Sequence, residues 1–124
     1  MRRTLVALLL ALALPASAQH AHDHEAKHGG LVKESAGQVY ELVVTASTIT
    51  VWVTDEGNKP VGTAGAAAAL TLIDSGSRVE VPLVPSGENR LVATGAYTVR
   101  KGMSALLQVT VGGREIARLR YTLK

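Results

Sequence analysis

All four histidines of the chain lie within nine consecutive positions of the stretch QHAHDHEAKHGG: His20, His22, His24 and His28. Asp23 and Glu25 stand between them and add carboxylate oxygens. The neutral imidazole ring is the commonest protein ligand for zinc, copper and nickel. A His-x-His-x-His run with interleaved carboxylates therefore predicts reversible binding of a divalent transition metal ion (copper, zinc, nickel or cobalt) by these six side chains.

The same stretch has a second interpretation, in which it is a solvated polar linker and its histidines are incidental. The rest of the chain would then be a secreted module that binds another protein. The role of His28 also has two interpretations, because the Gly29-Gly30 pair that follows it is typical of a turn. It is either a metal ligand or a turn residue ahead of a strand.

The first eighteen residues have the pattern of a secretory signal peptide. Arg2 and Arg3 precede an apolar run over residues 5–14, and Pro15 and the small residues 16–18 follow it. The run is shorter than the roughly 20 apolar residues that a membrane-spanning helix needs. We therefore expect cleavage after residue 18, export to the bacterial periplasm and no membrane anchor in the mature protein.

Composition narrows the class of protein. The chain has 13 basic residues, and removal of Arg2 and Arg3 leaves 11 against 10 acidic residues, a formal charge of +1. With one Trp, three Tyr and no Phe, it lacks the basic stripe and stacking aromatics of a nucleic-acid-binding protein. It has no cysteine, so neither a disulfide nor a thiolate ligand is available.

From residue 37 onward the sequence reads as short strands and tight turns. Residues 39–45 are rich in β-branched and aromatic side chains, and residues 48–54 alternate strictly between apolar and polar. The alanine-rich residues 65–70 run into a second apolar stretch and are interpreted as a strand. Strands without an amphipathic helix predict an all-β fold, an antiparallel immunoglobulin-like β-sandwich of about seven strands.

Two hairpins have a predicted register. A four-residue loop at residues 74–77 pairs Leu72 with Val79 and Leu70 with Val81, which keeps apolar groups on one face.

The last two strands pair Val109 with Ala117 and Leu107 with Leu119 if three residues, 112–114, form the loop. A two-residue loop would place an arginine in the core, so the longer loop with a glycine at positive φ is expected.

Other chemically capable residues carry weaker signals. Glu41 and Asp55 are interpreted as solvated carboxylates on a sheet surface, and Met103 is a single thioether, too little for a copper(I) site. Trp52 lies on the threonine face of its strand. It is either a half-exposed aromatic at a partner surface or a core residue of a sheet buried on both sides, and the core interpretation is favoured. A catalytic base needs a fixed partner, and the histidines lie on an arm, so no enzyme is predicted.

Four short stretches resemble a known group: HGGLV (28–32), YELV (40–43), VWVTD (51–55) and GNKPV (57–61). They are similar to small exported proteins and to the N-terminal periplasmic segments of heavy-metal efflux adaptor (membrane fusion) proteins. There a His-Gly-Gly precedes a strand of the Tyr-Glu-Leu kind. The resemblance covers roughly residues 20–75 and implies periplasmic handling of copper, zinc, cobalt or nickel, with His28 at the matching position.

These observations predict a signal peptide over residues 1–18, a His-rich flexible arm over 19–30 and one β-sandwich domain over 31–124. The chain lacks the long coiled-coil hairpin of the adaptors, so it is not expected to bridge a pump to an outer-membrane channel. The predicted function is that of a periplasmic metal buffer or an accessory to metal efflux and resistance. A component of an efflux system is a candidate partner.

Overall fold

A computed structural model of the protein describes residues 25–124. Over these residues the chain forms eight β-strands and no helix. The strands are β1 (Leu31–Ser35), β2 (Gln38–Val44), β3 (Thr48–Asp55), β4 (Ala66–Asp74), β5 (Ser77–Pro85), β6 (Arg90–Thr94), β7 (Ser104–Val111) and β8 (Arg114–Thr122). Within the same residues there is accordingly no helical segment that would be long and apolar enough to span a bilayer.

The eight strands form one antiparallel sheet in the order β1-β2-β3-β6-β5-β4-β7-β8. Strand β5 joins the two halves, because its first seven residues pair with β4 and its last two, Val84 and Pro85, pair with β6. The edge strands β1 and β8 approach each other, so the sheet is nearly closed. The predicted all-β antiparallel fold is confirmed, whereas a sandwich of about seven strands is not.

Strict alternation along the strands builds the core inside this curled sheet. Ile49, Val51 and Val53 point inward from β3 and are buried, as the period-two pattern predicts. Across the closure, the Tyr121 hydroxyl on β8 donates a hydrogen bond of 2.9 Å to the backbone oxygen of Tyr40 on β2. Burial raises the pKa of the Tyr121 phenol well above its ordinary value, which keeps it a donor.

The β4–β5 hairpin has the predicted register, with Leu72 opposite Val79 and Leu70 opposite Val81. Its loop is shorter than predicted, because Asp74 and Ser77 already pair with each other. Ser75 and Gly76 form the turn alone, both at positive φ (46° and 87°). Such two-residue turns match the twist of the flanking strands.

The β7–β8 hairpin also has the predicted register, but it reaches it by a different route. Val109 lies opposite Ala117, as expected, while the loop is the two-residue Gly112-Gly113 turn with φ values of 60° and 79°. The three-residue loop was therefore wrong. The register shifts between Val109 and Thr110, where Ile116 of β8 is the extra residue of a β-bulge. The bulge supplies the one-residue offset that keeps the arginines of β8 out of the core.

Candidate functional site

Glu41, in the middle of β2, is the centre of the candidate site. It lies on the outer face of the sheet opposite Trp52 of β3, yet only 6% of it is exposed. A carboxylate in such a place must find hydrogen-bond donors, because burying an unpaired charge is very costly. The donors come from the residues just before β1.

The carboxylate of Glu41 accepts four hydrogen bonds from residues 27–30. Oε1 accepts from the backbone N–H of Lys27 and from Nδ1 of His28, both at 3.0 Å. Oε2 accepts from the backbone N–H of His28 at 2.7 Å and of Gly30 at 3.0 Å. The segment therefore wraps around one side chain and is attached to the sheet through it.

The two glycines after His28 are needed for this wrap. Gly29 has φ of +72°, in the left-handed region that L side chains rarely adopt. Gly30 passes so close to β2 that an added Cβ would lie 2.5 Å from the backbone oxygen of Leu42 and 2.8 Å from Cγ2 of Val43. The first glycine permits the bend and the second permits the close approach.

The electrostatics of Glu41 follow from these contacts. Burial by itself raises the pKa of the carboxyl, but the hydrogen bonds from the His28 side chain and from the backbone N–H groups of Gly30, His28 and Lys27 outweigh it. The net pKa lies below its ordinary value. Glu41 is therefore an anion at neutral pH, and the turn presents only donors to it.

The imidazole of His28 is held in one orientation. An ionised carboxylate only accepts hydrogen bonds, so the contact of 3.0 Å assigns the proton of the neutral ring to Nδ1. One face of the ring stacks on Trp52, with 3.8 Å between ring centroids and 4° between ring planes. The side chain is 41% exposed. In that tautomer of the neutral ring the lone pair is on Nε2, and a neutral imidazole nitrogen of this kind can coordinate a metal ion.

The other predicted ligands lie mostly beyond the part of the chain that the structure describes. His20, His22, Asp23 and His24 fall outside residues 25–124. Glu25 is exposed and lines a small recess together with His28, Glu41 and Trp52. Within residues 25–124 no three histidine, cysteine or acidic side chains come together as a metal-binding group. The two predicted ligands that fall within residues 25–124, Glu25 and His28, thus line the same recess.

Sequence reasoning missed the roles of two residues. Glu41 is buried and multiply bonded, not a solvated carboxylate. Trp52 is half-buried on the outer face, where its indole stacks against the His28 ring, and it is not a core residue. The available signal was the charge of Glu41 inside the apolar run VYELVV, since a carboxylate that interrupts such a strand needs donors from elsewhere.

Two further predicted features take structural roles. Asp55 faces Gln38 across the β2–β3 ladder, and its Oδ1 accepts the backbone N–H groups of Gly57 and Lys59 in the turn that follows β3. Met103 is a buried core residue whose sulfur accepts the backbone N–H of Arg100 at 3.1 Å. Neither residue contributes to the site around Glu41.

A larger groove of about 450 Å³ lies between the β4–β5 hairpin and the segment before β7. Its lining mixes apolar side chains such as Leu72 and Val79 with the ion pair between Asp74 and Arg100, whose Oδ2 and Nε atoms are 3.4 Å apart. Both partners are substantially exposed, and such pairs are weak. The groove therefore offers no oriented group comparable to His28.

Comparison with protein-family models, with curated proteins and with solved structures finds no significant match for this chain. The resemblance to efflux adaptors accordingly stays a prediction from the motifs. The geometry around Glu41 is the main structural guide to function.

Proposed function

We propose that the protein binds a divalent transition metal ion, copper, zinc, nickel or cobalt, in the bacterial periplasm. The ligands are His20, His22, His24 and His28, with Asp23 and Glu25 as additional oxygen donors. The protein acts as a metal buffer or as an accessory to metal efflux and resistance, after removal of residues 1–18.

The observation that carries this proposal is the hydrogen bond from His28 Nδ1 to the buried carboxylate of Glu41. Histidines that bind metal commonly donate their second ring nitrogen to a carboxylate, which fixes the tautomer and makes the other nitrogen a better ligand. Glu41 supplies this support to His28. The partly exposed ring then offers Nε2 to an ion arriving from solvent.

A single imidazole binds weakly, so the remaining ligands must come from the adjoining residues. Four residues of extended chain span at most about 14 Å, and eight span at most about 28 Å. His24, His22 and His20 are therefore close enough in the chain to fold back on an ion at His28. Because His28 is already oriented, less conformational entropy is lost when the site closes.

Isothermal titration of residues 19–124 with Cu²⁺, Ni²⁺ and Zn²⁺ tests the proposal. Replacing His20, His22 and His24 together by alanine should abolish most binding, and His28→Ala alone should weaken it less. Lys101→Ala is the matched control, because Lys101 is exposed and is not among the residues that line the recess, and this variant should bind like the parent. If the triple variant binds like the parent, the arm is not the site. If the parent protein itself binds none of the three ions, the interpretation as a protein-interaction module is favoured.

A further inference from the structure

The stack between His28 and Trp52 has a consequence for any ion bound at His28. The ring centroids are 3.8 Å apart and the planes differ by 4°, so the imidazole lies nearly flat over the indole with little sideways offset. Aromatic pairs more often prefer offset or edge-to-face arrangements. Here the bond to Glu41 fixes the position of the imidazole ring.

A metal ion coordinated by imidazole lies in the ring plane, about 2.0–2.1 Å from the nitrogen. Because the two planes are nearly parallel, the ion stays at about the same height above the indole as the imidazole itself. The ion is also displaced sideways from the imidazole centroid by about 3 Å. Where Nε2 points across the indole, the ion lies over its face within about 6 Å of the centroid, which is the range of a cation–π contact.

We propose that Trp52 is part of the metal site, and that an ion held by Nε2 of His28 makes a cation–π contact with the indole. This inference rests on the proposed function. Among the aromatic side chains, tryptophan presents the most favourable face to a cation. Trp52 thus has two roles, because it supports the imidazole from below and lowers the energy of the bound cation.

The contact predicts a modest dependence of affinity on the ring at position 52. Cation–π contacts at partly exposed sites correspond to a roughly two- to fivefold change in affinity. Trp52→Leu should therefore weaken Zn²⁺ binding by about that factor. The Zn²⁺ affinity of Trp52→Phe should lie between those of the leucine variant and the parent, because the phenylalanine ring attracts a cation less strongly than indole does.

Because the chain has a single tryptophan, its indole gives one unambiguous nuclear magnetic resonance signal. Zn²⁺ is the suitable probe, since this closed-shell ion does not broaden signals. During titration of residues 19–124, the ring signals of Trp52 should shift in proportion to the binding measured by calorimetry. In His28→Ala the shift should disappear, even where the remaining histidines still bind zinc.

The outcomes separate this inference from the proposed function. Calorimetric binding of Zn²⁺ without any movement of the Trp52 signals would overturn the cation–π contact and leave metal binding by the arm intact. A shift that persists in His28→Ala would overturn it as well, because the ion would then reach the indole by another route. Absence of calorimetric binding would overturn both. The measurement on the parent protein decides the matter even if a Trp52 variant does not fold.

Discussion

Replacing Glu41 by glutamine should release residues 27–30 from the sheet and lower the stability of the domain. The carboxylate accepts four hydrogen bonds, two on each oxygen. Glutamine keeps one oxygen and replaces the other with an NH₂ donor, so two of the four donors would face another donor. Hydrogen bonds to a charged group contribute about 1.5–3 kcal/mol each to stability.

The loss of stability should be smaller than the sum of these hydrogen bonds, because residues 27–30 can detach into water, where their N–H groups find new partners. We therefore expect a decrease of about 2 kcal/mol in the free energy of unfolding. For a domain of this size that corresponds to a fall of roughly 8–16 °C in Tm. Detachment also removes the imidazole from Trp52, so the single tryptophan should become more exposed and its emission should shift to the red.

Thermal unfolding by circular dichroism and tryptophan emission measure the two effects separately. Glu80→Gln is the matched control, because Glu80 is an exposed strand residue, and its Tm should stay near that of the parent. Equal Tm values and equal emission spectra for the parent and Glu41→Gln would refute the view that this carboxylate holds the segment.

The stability of the parent protein should decrease in acid because of Glu41. The pKa of Glu41 is lowered in the folded state, so its contribution to stability is fully present at neutral pH. It is lost as the pH falls below the ordinary pKa of a glutamate and through the lowered one. Glu41→Gln should lack this part of the acid dependence.

Two further predictions concern the turn and the ligands. Gly30→Ala places a Cβ 2.5 Å from the Leu42 backbone oxygen and should lower the free energy of unfolding in urea by about 1–3 kcal/mol. Gly62→Ala is the control and should be tolerated, because an added Cβ there meets no atom within 4 Å. Equal stabilities of the two variants would mean that the segment does not approach β2 this closely. Metal affinity measured at three pH values should fall more than tenfold per unit below about pH 6, because two or three imidazoles must each lose a proton to bind one ion. Affinity that is flat between about pH 7 and 5.5 would contradict histidine ligation.

The fold was predictable to the extent that alternation and turn chemistry specify it. The buried face of β3 and the registers at Leu72–Val79 and Val109–Ala117 followed from keeping apolar side chains on one side. The loop lengths did not follow, because a bulge at Ile116 and a longer loop give the same register downstream. Closure into one sheet depends on the short β5–β6 pairing, for which the local sequence gives no pattern.

The candidate site was predictable only in its residue types. Period-two alternation tells which face a side chain is on, but not what covers the outer face. Trp52 and Glu41 are on the outer face and are covered by residues 27 and 28, a contact between segments more than ten residues apart. Residues 19–30 have no periodicity from which such a contact could be inferred.

Three features of the sequence that look unrelated have one structural cause. A glutamate interrupts the apolar strand β2, two glycines follow His28, and a tryptophan stands on the threonine face of β3. Glu41 accepts hydrogen bonds from the backbone of the turn, and the two glycines allow the turn to bend and to approach β2 closely. Trp52 stacks against the imidazole of His28 in that turn. A buried carboxylate is a costly way to attach four residues to a sheet, and apolar packing would do so at lower cost. What the carboxylate adds is a histidine whose ring is fixed by the bond from Nδ1, and under the proposed function this orients Nε2 toward an arriving ion.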